Sequence, residues 1–196
     1  MIVIVNGQPE SGKTTFENYV KQFMGSNFVY IYSTIDYVKE LAIDAGWDGT
    51  KTPENRKFLS DLKDLLTKWD DVPLKKTLKV ADAIDYEMRY YGIDNDSWIL
   101  FIDCREPEEI KKLVEATGGK SLLIRRASHE IEASCHADKN VEEFEYDEIL
   151  ENNGELRDWA YTALEWIDKH ELRFRHWQKF VISDDGQVTI DREESE

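Results

Sequence analysis

The sequence predicts an α/β fold in which a five-stranded parallel sheet lies between two layers of helices. Five short apolar runs, most of them rich in β-branched residues, recur along the chain, and segments with helical spacing of apolar residues separate them. The first run ends in a glycine-containing loop that leads directly into a predicted helix. A length of 196 residues suits a single domain of this kind.

The elements follow in order from these patterns. We predict strands at residues 1–6, 27–32, 98–103, 121–124 and 144–150. Helices are predicted over residues 13–24, 35–45 and 156–167, with a further helix that begins at Pro107. Asp185 and Gly186 lie between two alternating runs within residues 177–190, which is the pattern of a β-hairpin. The acidic tail after this hairpin is predicted to be disordered.

A long segment between the second and third strands, residues 49–92, has no strand-like run. Apolar residues such as Leu62, Leu66 and Trp69 recur there at helical spacing after Pro53, and a second helical pattern follows. We therefore predict a helical insertion at this point of the fold.

The composition argues against several classes of function. The chain has 41 acidic and 25 basic residues, a net charge of −16, which repels nucleic acid at long range. It contains no apolar run of the roughly 20 residues that a membrane-spanning helix needs. Its two cysteines, Cys104 and Cys135, are too few for a disulfide framework. We therefore expect a cytoplasmic protein without a nucleic-acid or membrane partner.

The strongest motif is in residues 7–14, which read GQPESGKT and match the P-loop pattern G-x-x-x-x-G-K-[ST] in full. Gly7 and Gly12 let the backbone turn its N–H groups toward a phosphate, and the helix N-terminus adds partial positive charge. Lys13 would reach the β- and γ-phosphates, and Thr14 would offer its hydroxyl to Mg²⁺. The remaining predicted nucleotide-binding residues of the loop are Pro9, Glu10, Ser11 and Thr15. ATP and Mg²⁺ are the expected cofactors.

Asp103 ends the apolar run WILFID, at the position where the metal-binding acid of P-loop proteins ends its strand. There it would hold Mg²⁺ opposite Thr14. The alternative is an aspartate that caps the helix beginning at Pro107. No N-K-x-D motif for guanine recognition is present.

Beyond the P-loop, the chain resembles the P-loop kinases of the nucleoside monophosphate kinase-like class, which include phage deoxynucleoside monophosphate kinases and animal-type phosphomevalonate kinases. The resemblance rests on GQPESGKTT, STIDYVKE, RKFLSDLKD, FIDCREPEEIKKL and YDEILENNG, which span most of residues 1–154. Only the P-loop is specific when taken alone. The resemblance implies transfer of the γ-phosphoryl group of ATP to a phosphorylated small molecule, with a (deoxy)nucleoside monophosphate as the first expectation, by a monomer or a homodimer.

The resemblance also implies roles for residues outside the P-loop. It assigns Asp36, Lys39 and Arg56 to the acceptor, Arg105 to the side of the transferred phosphoryl group, and Asp147 with Asn152 to the side of the nucleotide base. In the same layout, residues 1–170 form the kinase domain, the insertion at 49–92 binds the acceptor, and residues 125–140 form a closing lid. Residues 171–196 then make the C-terminal hairpin and the acidic tail.

The lid departs from the family pattern. Lids of these kinases carry an arginine partway along, but residues 127–140 contain none and carry Glu130, Glu132 and Asp138 instead. The resemblance then leaves Arg125 and Arg126, at the base of the lid, to stabilise the transferring phosphoryl group. His129, Cys135 and His136 lack the C-x-x-C spacing of a zinc site, so zinc is not expected.

Two alternatives to a nucleoside monophosphate kinase stay open. One is a kinase for a non-nucleotide phosphate ester of the phosphomevalonate or dephospho-coenzyme A type. The other is a nucleotide-binding regulatory module with little turnover, which the arginine-poor lid favours.

Overall fold

A computed structural model of the chain describes residues 1–126, 141–172 and 179–191. Its central sheet contains β1 (Ile2–Asn6), β2 (Val29–Ser33), β3 (Ile99–Asp103), β4 (Lys120–Arg125) and β5 (Glu148–Glu151). All four pairings are parallel, in the order β2-β3-β1-β4-β5. The predicted five-stranded parallel sheet is confirmed.

Six α-helices surround this sheet in the described part of the chain. They are α1 (Lys13–Met24), α2 (Asp36–Asp44), α3 (Pro53–Asp70), α4 (Val72–Tyr90), α5 (Pro107–Thr117) and α6 (Leu156–Lys169). Proline opens α3 and α5, where its missing N–H has no helical partner to lose. The Thr52 side chain caps α3 by accepting a hydrogen bond from the Asn55 N–H at 3.2 Å. Among the described residues, no helix has the length and apolar character needed to cross a membrane.

The sheet has one layer of helices on each face. Val3 and Val5 of β1 point into a core shared with α1 and α6, in which Phe16 and Trp159 lie with ring centroids 5.4 Å apart. Ile4 points to the opposite face, into a core shared with α4 and α5. Because both faces are buried, the strands are continuous apolar runs rather than alternating ones.

The predicted helical insertion is confirmed, because α3 and α4 follow α2 between β2 and β3. Helix α3 packs on α2 through a small apolar cluster of Val38, Ala42 and Leu59. The insertion therefore lies beside the segment that follows β2.

The prediction for the fifth strand was wrong at its N-terminal end. Residues 141–143 form one turn of 3₁₀ helix, and β5 begins only at Glu148. The Phe144 and Tyr146 rings contact edge to face at 4.9 Å and pack against the core on the α4 and α5 side. These aromatic side chains turn inward before the strand starts, which the apolar pattern alone does not show.

The C-terminal hairpin is confirmed as an antiparallel pair, β6 (Lys179–Ile182) and β7 (Val188–Asp191). The Ser183 N–H donates to the Gln187 carbonyl at 3.0 Å across the turn. Phe180 of β6 packs on Phe23 of α1, with ring centroids 5.1 Å apart. The lid beyond Arg126 and the acidic tail lie outside the described residues.

Candidate functional site

The P-loop connects β1 to α1 at the carboxyl edge of the sheet, and it needs glycine at two positions. Gly7 and Gly12 have φ angles of 152° and 99°. A Cβ atom on Gly7 would lie 2.3 Å from the Ile124 carbonyl oxygen, and one on Gly12 would lie 2.3 Å from Nδ2 of Asn152. No side chain fits at either position, so the glycines let the loop lie close against its neighbours.

Two side chains from the far end of the chain hold the P-loop in place. Asn152 Nδ2 donates to the Ser11 carbonyl at 2.9 Å, and Trp159 Nε1 donates to the Gly12 carbonyl at 3.1 Å. The Asn152 backbone N–H also donates to the Arg125 carbonyl at 2.7 Å. The structure thus brings Asn152 to the loop backbone rather than to an open base-binding face. Trp159 was missed, because its helical spacing indicated only a core residue.

Asn6, the last residue of β1, is also a support that the sequence reasoning missed. Its side chain is fully buried, and its Oδ1 accepts from the Gly7 N–H at 2.7 Å. Its Nδ2 donates to the Tyr146 hydroxyl at 2.6 Å and to the Arg105 carbonyl at 3.3 Å. Asn6 therefore joins the P-loop to the connection after β3. The available signal was an amide at the end of an apolar strand, directly before the motif.

Lys13 lies in the first turn of α1, where its Nζ donates to the Gly7 carbonyl at 2.6 Å and to the Gln8 carbonyl at 3.4 Å. Thr14 is exposed, Thr15 and Pro9 are half-buried, and Glu10 is exposed with a positive φ of 62°. The loop thus presents its lysine and the hydroxyl of Thr14 at one end of the helix, where the helix dipole favours an anion.

Asp103 lies beside the P-loop, because β3 pairs with β1 in a register that sets Asp103 against Val5. Within the described residues, its Oδ1 is buried and has no hydrogen-bond partner. Burial raises the pKa of Asp103, although the charges of Lys13 and Arg105 lower it in part. No side chain caps α5, whose N-cap residue is Glu106, so Asp103 does not have the alternative capping role.

These residues fit a Mg²⁺ ion. Asp103 Oδ1 is a hard oxygen without a partner among the described residues, and Thr14 offers an exposed hydroxyl. The part of the chain that the structure describes has no group of three or more His, Cys, Asp or Glu side chains that would hold a metal. Mg²⁺ in such a site takes its remaining ligands from water and phosphate oxygens.

Glu17 is a second carboxyl group in this region that the sequence reasoning missed. It lies one turn beyond Lys13 on α1 and is 1% exposed. Burial, followed by the charge of Asp103, raises the pKa of Glu17 to about 9, while the charge of Lys13 lowers it. The signal was its spacing, since a residue four positions after Lys13 lies on the same face of the helix.

Asp36 and Lys39, predicted at the acceptor, form an ion pair of 2.7 Å at the start of α2. Asp36 Oδ2 also accepts from the Ser33 N–H at 2.8 Å, at the end of β2. The charges of both residues act on Asp103, as does that of Arg105. The structure therefore gathers these predicted residues with Lys13 at the carboxyl edge of the sheet.

Arg56 makes no hydrogen bond or ion pair with Lys13, Asp36, Lys39 or Asp103 among the described residues. It lies in the first turn of α3, is exposed, and donates from Nε to the Lys51 carbonyl at 3.3 Å. The basic residue of α3 that does reach the sheet edge is Lys63, which the sequence reasoning missed.

Lys63 joins α3 to helix α5 and to the residue that follows β2. Its Nζ lies 2.7 Å from Oε2 of Glu109 on α5 and 3.3 Å from the Thr34 hydroxyl. The same Glu109 oxygen accepts from the Cys104 thiol at 3.3 Å. Burial is the largest single effect and lowers the pKa of Lys63, but the charge of Glu109, the hydrogen bond to it and the charges of Cys104 and Glu106 together raise the pKa above its usual value. Burial raises the pKa of Cys104 well above its usual value, so the thiol stays protonated.

The two arginines at the base of the lid have different surroundings. Arg125 pairs with Glu142 and, at 3.0 Å, with Glu151, and the hydrogen bonds to Glu142 raise its pKa. Arg126 has a buried Nε without a hydrogen-bond partner among the described residues. The guanidinium of Arg125 is therefore already ion-paired with two carboxylates.

Asp147 lies at the opposite edge of the sheet from the P-loop. Its Oδ2 accepts from both the N–H and the hydroxyl of Ser121, each at 2.7 Å, near the start of β4. These bonds lower the pKa of Asp147. The carboxylate of Asp147 thus fixes the amino end of β4, and the assignment of this residue to the nucleotide-base side stays a prediction.

Comparison with known proteins adds no further assignment, since no family model matches the chain and no curated protein matches it significantly.

Proposed function

We propose that this chain is an ATP-dependent small-molecule kinase, built on the P-loop NTPase three-layer fold in its nucleoside monophosphate kinase-like form. One observation carries the proposal: the complete GQPESGKT loop lies between β1 and α1, and the Asp103 carboxylate lies on the adjacent strand beside it. The strand order and the helices between β2 and β3 are consistent with this layout.

In this proposal the loop N–H groups and Lys13 bind the phosphates of ATP. Thr14 and Asp103 hold Mg²⁺, which would neutralise charge on the β- and γ-phosphate oxygens when bound. Arg105, whose charge acts on Asp103, lies on the side of the transferred phosphoryl group. Asn152 acts by holding the loop in the geometry that binding requires.

The acceptor lies between α2 and α3 in this proposal. The Asp36–Lys39 pair is near Asp103, and Arg56 is an exposed cation at the start of α3. A phosphorylated acceptor supplies the anion that such cations recognise. The first candidate is a (deoxy)nucleoside monophosphate, and a non-nucleotide phosphate ester is the second. A kinase of such metabolites would work in the cytoplasm, as the cysteine content predicts.

A nucleotide-binding regulatory module with little turnover is a second candidate function. It is favoured by Arg125, which two glutamates neutralise, and by the absence of arginine from residues 127–140 of the sequence. In the kinase reading, Arg126 supplies the lid-side charge instead.

A coupled assay of ADP release tests these possibilities. ATP, Mg²⁺ and a panel of nucleoside monophosphates and other phosphate esters would be combined with the protein, and reactions without acceptor would serve as controls. Release that depends on one acceptor supports the kinase, and the identity of that acceptor separates the two kinase types. Tight ATP binding by calorimetry without release favours the regulatory module. If neither ATP nor GTP binds, the P-loop proposal is wrong.

A further inference from the structure

Glu17 is the one charged residue among the six buried residues of α1, the others being Phe16, Tyr19, Val20, Phe23 and Met24. Within the described residues, its Oε1 is buried and has no hydrogen-bond partner. Burying an unpaired carboxyl oxygen costs free energy that an apolar side chain at the same position would avoid. A ligand that donates a hydrogen bond to this oxygen, or a cation that the oxygen coordinates, would offset the cost.

Asp103, whose charge acts on Glu17, also has a buried carboxyl oxygen, Oδ1, without a hydrogen-bond partner among the described residues. A third oxygen, Oγ of Ser11 in the P-loop, is likewise buried and unpaired among the described residues, with Ser11 only 2% exposed. Two carboxyl groups and a hydroxyl with open acceptor positions are thus concentrated around the start of α1.

Hydrogen-bond donors are a poorer match for this group than a cation. The positive charge of Lys13 acts on both carboxyl groups, but its ammonium donates to the Gly7 and Gln8 carbonyls. A phosphate in the loop would draw this ammonium toward itself and leave the two carboxyl groups less compensated. Hard divalent cations prefer carboxylate and hydroxyl oxygens and keep several waters where the protein offers few ligands.

We propose that Glu17 and Asp103 together form a divalent-cation site beneath the P-loop, which binds Mg²⁺ or Mn²⁺ even in the absence of nucleotide. The inference shares Asp103 with the proposed kinase site and rests on that proposed function for the identity of the cation. Cation binding itself needs neither ATP nor an acceptor. The P-loop motif supplies the Thr14 hydroxyl as a ligand of the cation, and the end of β3 supplies the Asp103 carboxylate. Glu17 would add a second carboxylate to these ligands.

Mn²⁺ titration of the nucleotide-free protein, followed by electron paramagnetic resonance, tests the proposal. We expect one Mn²⁺ per chain, displaced by excess Mg²⁺. Glu17→Gln keeps the shape of the side chain and should weaken Mn²⁺ binding at least about tenfold, the scale of loss seen even for outer-shell partners. Glu115→Gln, the same change at an exposed position of α5, should leave binding unchanged. Equal binding by wild type and Glu17→Gln would overturn the proposal.

Two further measurements keep the test independent of one variant and of the kinase proposal. In the wild-type protein, Mn²⁺ should broaden the amide resonances of Glu17 and Asp103 first, and broadening centred elsewhere would overturn the inference. Lys13→Ala should lose ATP binding but keep Mn²⁺ binding, because a competing positive charge is removed. Loss of Mn²⁺ binding in Lys13→Ala counts against the site, whereas failure of ATP to bind the wild type counts against the kinase alone.

Discussion

Lys13 is the residue whose charge acts on both buried carboxyl groups of the site. Its ammonium donates to two carbonyls of its own loop, and its charge lowers the pKa of both Asp103 and Glu17. A bound phosphate offers this ammonium a stronger, charged acceptor. Moving one side chain would therefore change the electrostatics of ligand and carboxyl groups together.

Lys13→Ala should abolish measurable turnover, with kcat at least about 100-fold lower, because a positioned cation at the transferring group is lost. ATP affinity measured by calorimetry should fall as well. Lys21→Ala, in the last turn of the same helix, serves as the control and should behave as wild type. Unchanged ATP affinity in a folded Lys13→Ala protein would count against the P-loop assignment.

Glu17 makes stability depend on pH in a defined direction when no divalent cation is present. Its folded-state pKa is raised to about 9, from 4.5, so the unfolded chain loses this proton first as pH rises. The contribution of the group to stability is full below about pH 4.5 and is lost as pH rises toward 9. At neutral pH the wild-type Glu17 therefore lowers the free energy of unfolding.

Glu17→Gln should therefore raise the free energy of unfolding in EDTA, and more at pH 8 than at pH 5. The difference between the two pH values should be on the order of 3 kcal/mol. Urea unfolding of wild type and variant at both pH values measures it, with Glu115→Gln as the exposed control. A stability gain that does not change with pH would mean that the pKa of Glu17 is not raised in the folded protein.

At the scale of elements, α3 is attached to the rest of the fold in two ways. Its apolar side packs on α2 through Leu59, and Lys63 reaches across to Glu109 and Thr34. The Lys63–Glu109 pair is mostly buried, with side chains 16% and 12% exposed. Because Glu109 also accepts from Cys104, this pair connects the proposed acceptor-binding insertion to the strand end that carries Asp103.

Lys63→Met should destabilise the protein by roughly 3 kcal/mol, because it leaves the Glu109 carboxylate buried without its cation. The double variant Lys63→Met/Glu109→Leu should lose less, since no charge is then left unpaired. Chemical unfolding of the wild type, Lys63→Met, Glu109→Leu and the double variant measures the coupling. Lys57→Met breaks an exposed pair with Asp61 on the same helix and should cost less than about 1 kcal/mol. Equal losses in the Lys57 and Lys63 variants would show that the buried pair has no special role.

At the scale of the whole molecule, the net charge of −16 opposes both compaction and the approach of anions. The carboxyl edge of the sheet differs from this average, because Lys13, Lys39 and Arg105 all act on Asp103 there. A phosphorylated ligand would therefore be attracted locally by a protein that repels it at a distance.

Salt should stabilise this protein at neutral pH. Raising KCl from about 10 to about 200 mM shortens the screening length from about 30 Å to under 10 Å and weakens repulsion among the excess carboxylates. We expect Tm to rise by about 2–5 °C at pH 7.5, measured by differential scanning calorimetry. Near pH 5, close to the pI of 4.7, the same salt should have little effect. A fall in Tm at pH 7.5 would show that specific ion pairs outweigh the net repulsion.

Some parts of the fold could be predicted because their signals are local. The prolines that open α3 and α5, and the Asp185–Gly186 turn, act within a few residues of where they stand. The start of β5 could not be predicted, because Phe144 and Tyr146 have strand-like side chains and are drawn inward by a core that other elements build.

The sequence by itself determined the P-loop motif of this protein, since its glycines, lysine and threonine all lie within residues 7–14 and the backbone between them sets their geometry. Only the tertiary structure decided what surrounds it. Asn152 and Trp159 hold the loop across separations of 141 and 147 residues, and Lys63 meets Glu109 across 46. The burial of Glu17 Oε1, which has no partner among the described residues, likewise depends on α1 packing on β3, where the Phe16 and Phe101 ring centroids lie 6.1 Å apart. Contacts of this kind leave no periodic or local trace, because they depend on which strands pair and in which order.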